Sequence, residues 1–325
     1  MMSFKSFIKE WMLPIAMLTG ASVYLIYHHM PEPVHRIGPF LQGAVTVVQP
    51  LLIFMMLFLT FCRIEPRELR PHRWHWWLLL VQGGLFTALG LGVAAMLRWA
   101  EQGHGEWIVL IESAMLCLIC PTATAAAVVT RKLGGDVPGI TSYTILINIV
   151  TAVLIPLIVP LIQPYSGLEF WTAFSMILAK VLPLLIMPCL AAWLVRYLAP
   201  RLHRRILSYP DLSFYMWSVA LTLAIAVSTR YIVHSTLSGW MLAAMAGVSL
   251  VCCAFQFAAG KTIGGHYKED RRITAGQALG QKNTVFIIWV AYTFMTPETA
   301  IIGGLYSIWH NIYNAWQLRR AGRPR

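Results

Sequence analysis

What most constrains this chain is a succession of long apolar runs separated by short polar connections. A helix needs about 20 mostly apolar residues to cross a hydrocarbon core about 30 Å thick. Ten such stretches can be marked: Trp11–Tyr27, Phe40–Cys62, Trp76–Leu97, Trp107–Thr130, Val137–Ile162, Phe170–Leu194, Leu212–Val233, Gly239–Ala259, Ile273–Phe294 and Ala300–Trp316. The 325 residues are 58% hydrophobic and 12% charged, with mean hydropathy +0.65. A soluble domain carries about twice that charged fraction, and a water-soluble fold could not hide so much apolar surface. Soluble enzymes are excluded. The net charge of +12 is no sign of nucleic-acid binding, because the charges sit in short clusters between apolar runs.

The first run follows Lys5 and Lys9 but lacks a small-x-small cleavage site and continues through Tyr24 and Tyr27. It reads as a retained span rather than a cleaved leader. The six cysteines (Cys62, Cys117, Cys120, Cys189, Cys252, Cys253) lie in apolar runs without metal-ligand spacing, so they read as small packing residues.

Lysines and arginines set the expected orientation, since cytoplasmic loops carry an excess of them. With ten spans, the termini and the even-numbered loops share one side. That side holds Lys5, Lys9; Arg63, Arg67, Arg70, Arg73; Arg131, Lys132; Arg196, Arg201, Arg204, Arg205; Lys261, Lys268, Arg271, Arg272; and Arg319, Arg320, Arg323, Arg325. The other side holds only Arg36, Arg98 and Arg230, while Lys180 and Lys282 fall inside spans. Both termini are expected in the cytoplasm. Five spans per half turn the second half upside down, so residues 1–163 and 164–325 are read as two inverted five-helix repeats within one all-α membrane unit.

Two spans are interrupted, each the fourth of its half. One carries Cys120-Pro121-Thr122-Ala123-Thr124 followed by Ala125, Ala126 and Ala127; the other runs Gly276-Gln277-Ala278-Leu279-Gly280-Gln281-Lys282-Asn283. Proline removes a backbone donor and clashes with the preceding turn. Breaks at corresponding positions of two halves point to a transporter's binding site. Lys282 lies ten residues beyond Arg272, or ~15 Å along a helix, about half the depth of the core.

Cys120-Pro121-x-x-Thr124, Gly280-x-x-Asn283 and Ser307-Ile308-Trp309-His310-Asn311, in that order, resemble the break and site motifs of the bile acid:sodium symporter family. The resemblance implies a core of spans three to five and eight to ten and a panel of spans one, two, six and seven. The broken spans four and nine cross within that core. It implies transport of organic anions, usually driven by sodium, in a multi-pass protein of the bacterial inner membrane. It also implies a substrate site at Thr124, Asn283, His310 and Asn311, whose hydroxyl, amides and imidazole offer donors to a carboxylate. The plainer reading of the same residues is helix–helix hydrogen bonding, worth about 0.6–2 kcal/mol each in membranes.

The sodium ligands are a different matter. The family's serine–asparagine pair falls on Ala126-Ala127, its span-five serine on Ile140, its span-nine glutamate on Ala278 and its glutamine on Lys282. Gln82 and Thr144 match retained ligands, and Gln281 sits beside Lys282; these four, Lys282 included, are the expected coupling site. A one-residue slip would put Gln277 in the glutamate's place without restoring charge. Sodium coupling is therefore expected to be lost, with the Lys282 ammonium standing in for the cation. The rival readings are a lysine reaching for the interface or a buried structural pair. A lysine that cycles its proton would give proton coupling, and a permanently charged one exchange or uncoupled transport.

Lys180, beside Pro183, is a second intramembrane lysine. Glu112, five residues past Trp107, is read either as reaching the outer surface or as a proton carrier. The leading function is a secondary transporter of a small organic anion working by alternating access. A conventional sodium-coupled bile acid symporter, a channel, and a membrane enzyme using Lys282, Glu112 or His310 are the alternatives. No cofactor is expected, and the expected partners are the anion and the lipid bilayer. Substrate identity and oligomeric state are not legible.

Overall fold

The computed structural model describes residues 4–99, 106–163, 168–209 and 212–321. Arg323 and Arg325, and the side chains of Lys5 and Lys9, lie outside the described residues. Among those described, every regular element is helical apart from one isolated β-bridge. In chain order they are α1 (Phe4–His28), α2 (Glu32–His35), α3 (Gly38–Cys62), α4 (Arg73–Trp99), α5 (Trp107–Ile119), α6 (Ala126–Lys132), α7 (Val137–Ile162), α8 (Phe170–Leu198), α9 (Pro200–Leu207), α10 (Leu212–His234), α11 (Gly239–Gly265), α12 (Glu269–Gly280), α13 (Thr284–Phe294) and α14 (Ile301–Ala321). Short 3-10 turns occupy Pro66–Glu68 and Pro297–Ala300.

Six of these helices, α3, α4, α7, α8, α10 and α11, are long and apolar enough to cross a membrane. The helices α5 and α13 are equally apolar but have only 13 and 11 residues, too few to span alone. Each is one arm of an interrupted run, α5 with α6 and α12 with α13. Several helices overrun the apolar stretches read from sequence. The helix α4 begins at Arg73, α11 continues to Gly265 and α14 to Ala321, because hydropathy marks where lipid begins and not where helical hydrogen bonding stops.

The outward faces carry many large apolar side chains. Phe40, Trp171, Leu198 and Trp240 are largely exposed, as expected where the solvent is lipid. Internal prolines (Pro14 in α1, Pro50 in α3, Pro156 and Pro160 in α7, Pro183 and Pro188 in α8) are carried without ending their helices. The main core gathers Ile53, Phe61, Phe86, Leu116, Ile119, Val159, Leu185, Phe286 and Ile302 from α3, α4, α5, α7, α8, α13 and α14. A second core packs Trp74 and Leu78 against Ala126, Tyr143 and Leu279.

The helices α11 and α12 approach closely. Gly260 and Gly264 sit four residues apart facing them: a Cβ on Gly260 would meet the Ala275 carbonyl, and one on Gly264 the Arg271 carbonyl. Small residues at this spacing let two membrane helices touch through their backbones. At the same end, Asp136 pairs with Arg271 and its N–H donates to Thr274 Oγ1 at 2.7 Å, fixing the start of α7 against α12.

Candidate binding site at the crossing of the broken helices

Proline at 121 forbids continuation of α5, so the helix stops at Ile119 and leaves its last carbonyls without intrahelical partners. In a membrane each such group costs several kcal/mol if unsatisfied. The Cys117 carbonyl accepts from Gln256 Nε2 (3.0 Å), Leu118 from Lys282 Nζ (3.2 Å), Ile119 from Gln82 Nε2 (3.0 Å) and Thr151 Oγ1 (3.1 Å), and Cys120 from Gln82 Nε2 (2.8 Å). Donors from α4, α7, α11 and the α12–α13 link thus surround one half-helix end. That end also carries the negative pole of the α5 dipole, to which a cation is favourably drawn.

The second break crosses the first as two short extended segments. Thr122 and Lys282 form an antiparallel bridge, with Ala123 N–H donating to the Gln281 carbonyl (2.8 Å) and Asn283 N–H to that of Pro121 (2.9 Å). Side chains complete it. Thr122 Oγ1 donates to Ala278 O (2.8 Å), Cys120 Sγ to Asn283 O (3.1 Å) and Tyr306 OH to Gly280 O (2.9 Å). This break lies at 281–283, one step past the glycines that announced it. Gly276 and Gly280 lie inside α12, where a Cβ would strike Lys261 and the Phe257 ring of α11; they serve close packing, not interruption.

The expected site residues separate into two groups. Lys282, Gln281 and Asn283 lie in the crossing, and Thr124 follows its first segment two residues after Thr122. Lys282 is 1% exposed and forms no ion pair among the described residues. Asn283 caps α13, its Oδ1 accepting from Phe286 N–H at 3.3 Å. His310 is buried one turn from Tyr306, its ring edge-on at 5.6 Å, and its Nδ1 has no hydrogen-bond partner. Asn311 and Thr144, by contrast, donate within their own helices, to Ser307 O at 2.6 Å and Ile140 O at 2.9 Å. Gln82 is at the crossing, but its Oε1 already accepts from Tyr143 OH at 2.8 Å.

The positions that the resemblance assigns to sodium ligands can be located around this crossing. A sodium ion needs several oxygen ligands. Here the two helix positions at Ala126 and Ala127, with Ile140 and Ala278, present only hydrocarbon, Gln82 Oε1 is engaged and an ammonium stands on Leu118 O.

Glu112 does not reach the surface. It is 1% exposed and accepts from Gln163 Nε2, Thr296 N–H (3.2 Å) and Thr299 Oγ1 (2.9 Å). Lys180 is exposed on α8, its ammonium 5.7 Å from the Phe294 ring centroid. The sequence reading passed over Thr122, Gln256 and Tyr306, all central to the crossing. Their one signal is that each is a lone hydrogen-bonding side chain in an otherwise apolar or backbone-broken stretch, which does not say what it will face.

Among comparisons with known proteins, a family model described as the Sodium Bile acid symporter family matches residues 50–235. The match takes in α5, the first break and α6, while the second break and α14 lie beyond it. No curated protein matches the chain.

Proposed function

The chain belongs to the sodium bile acid symporter family, and from that premise we propose that it carries a small organic anion by alternating access, without sodium, using Lys282 as a built-in cation. Membership makes it a multi-pass membrane transporter of a small molecule; the remainder is our reading. The chain is arranged as ten spans in two inverted halves, 1–163 and 164–325, in a bacterial inner membrane with cytoplasmic termini. A panel of spans one, two, six and seven rocks against a core that contains the crossing.

The anion lies at Thr124, Asn283 and His310, with Asn311 contributing only if it leaves Ser307. Two buried atoms without partners, His310 Nδ1 and Gln281 Oε1, are groups of the kind a ligand or water satisfies. The observation that carries the sodium-free reading is the ammonium of Lys282 on the Leu118 carbonyl, at the half-helix end where a coupling cation belongs. A lysine amine held there donates to the free carbonyl in either orientation of the carrier, so no sodium need enter with the anion.

The test is uptake into proteoliposomes across a panel of small carboxylates, with sodium replaced by choline. Uptake should proceed unchanged, and Lys282→Gln should reduce it at least about ten-fold, since removal of a buried charged hydrogen bond costs about 1.5–3 kcal/mol. A strict sodium requirement in the wild type, or full activity of Lys282→Gln, overturns the reading.

A further inference from the structure

A cavity of about 820 Å³ opens at the end of the molecule where α1 and α10 finish and α3 begins. Its walls are apolar, with Val23 from α1, Val45 and Val48 from α3, and Leu223 and Val227 from α10. Some of its polar groups are gathered at one place. His234 Nε2 lies 2.8 Å from Tyr24 OH, and the His28 ring stands edge-on to His234 at 5.3 Å. Arg230 lies one helical turn before His234 on α10 and lines the same space. It is half-buried and makes no ion pair or hydrogen bond among the described residues. The acidic lining residue, Glu32, is exposed and does not pair with it.

The Arg230 guanidinium stands at the cavity wall without an anionic partner among the described residues. Arginine's fork matches a carboxylate in two parallel hydrogen bonds. The volume falls within the 300–1,000 Å³ typical of small-molecule sites, which are mainly apolar with a few convergent polar groups. Its apolar walls from α1, α3 and α10 can take a hydrocarbon chain whose acid head meets the guanidinium.

We propose that this cavity is a second binding site, taking a single-chain amphipathic carboxylate with its head on Arg230, His28 and His234 and its chain along α3 and α10. None of Thr124, Gln281, Lys282, Asn283, His310 and Asn311 lines it. A connection to the crossing runs through the cavity's Tyr292. Its OH donates to Gln49 Oε1 at 3.3 Å, and Gln49 Nε2 donates to Val285 O at 3.2 Å, in the turn of α13 that Asn283 caps.

The experiment is equilibrium binding of radiolabelled dodecanoate to the full-length protein in phosphatidylcholine nanodiscs, a readout that involves neither uptake nor sodium. Saturable binding should weaken at least about ten-fold in Arg230→Gln and be lost in Val45→Trp, which fills the trough. Asn283→Ala should leave it intact, and dodecanol should bind without regard to Arg230. If Arg230→Gln is poorly folded, Val45→Trp carries the test alone. Wild-type binding in both cavity variants, loss of binding in Asn283→Ala, or displacement of dodecanoate by equimolar phosphatidylglycerol each overturns the proposal.

Discussion

Asn283 stands in two hydrogen-bonding environments, and the two can be separated. Its Oδ1 accepts from Phe286 N–H and begins α13, while in our reading its amide N–H₂ faces the anion. Loss of an N-cap costs about 0.5–2 kcal/mol, and loss of a donor to a carboxylate about 1.5–3 kcal/mol. Asn283→Ala should lower both thermal stability and substrate affinity. Asn283→Ser keeps a capping oxygen and should restore most of the melting temperature while leaving affinity about ten-fold down or more. Equal affinity in wild type and serine variant, measured by direct binding in detergent, would remove Asn283 from the site. At this scale the sequence was informative about residue type but not direction. Lys282, Gln82 and Asn283 were all marked and all lie at the crossing. Asn311 and Thr144 were marked too, yet both turn back on their own helices, because a hydroxyl or amide three or four residues from a carbonyl always has that local alternative.

The element that organises the molecule is α5, a half-helix bound at both ends by polar groups. Its far end is capped by Gln82, Thr151, Gln256 and Lys282. Near its beginning, Glu112 joins Gln163 at the end of α7 to Thr296 and Thr299 in the link between α13 and α14. One carboxylate thus ties three elements that are distant in sequence. Glu112→Ala strands buried donors and should destabilise the folded protein by about 3 kcal/mol or more, since hydrogen bonds to a charged group are worth about 1.5–3 kcal/mol each. Glu112→Gln should cost less, keeping one acceptor. Melting temperatures in detergent check this, and an unchanged alanine variant would show that the clamp is inert. The two breaks were legible as elements because Pro121 and the polar cluster around Lys282 cannot sit in an uninterrupted apolar helix. The stretch Gly276–Asn283 takes in the second break at 281–283, but a glycine reads alike whether it ends a helix or lets another helix approach, and Gly280 does the latter against Phe257.

At the scale of the whole molecule, charge asymmetry and helix geometry can be brought to one test. The ends of α6 and α14, the helix α9 and the Lys268–Arg272 start of α12 carry the dense basic clusters, whereas the ends of α1 and α10 and the start of α3 have only Arg36 and Arg230 nearby. Lys and Arg in short loops are retained on the cytoplasmic side. If the broken runs α5–α6 and α12–α13 each count as one crossing, and α1 and α14 cross as well, the basic clusters fall on a single side. Removing any one crossing between α6 and the end of α14 would scatter them over both. The native cysteines permit a clean measurement, since five of the six are buried and Cys252 is only partly exposed. Single cysteines at exposed Ser208 and Thr236 lie at opposite ends of α10. In intact cells, a membrane-impermeant maleimide should label Thr236→Cys and not Ser208→Cys, with the order reversed in inside-out vesicles. A reporter active only in the periplasm should be silent when fused after Arg325. Labelling of Ser208→Cys from outside would invert the molecule and place Arg230 and its cavity in the cytoplasm. Labelling of both from the same face would instead deny that α10 crosses at all, and with it the inverted-repeat arrangement.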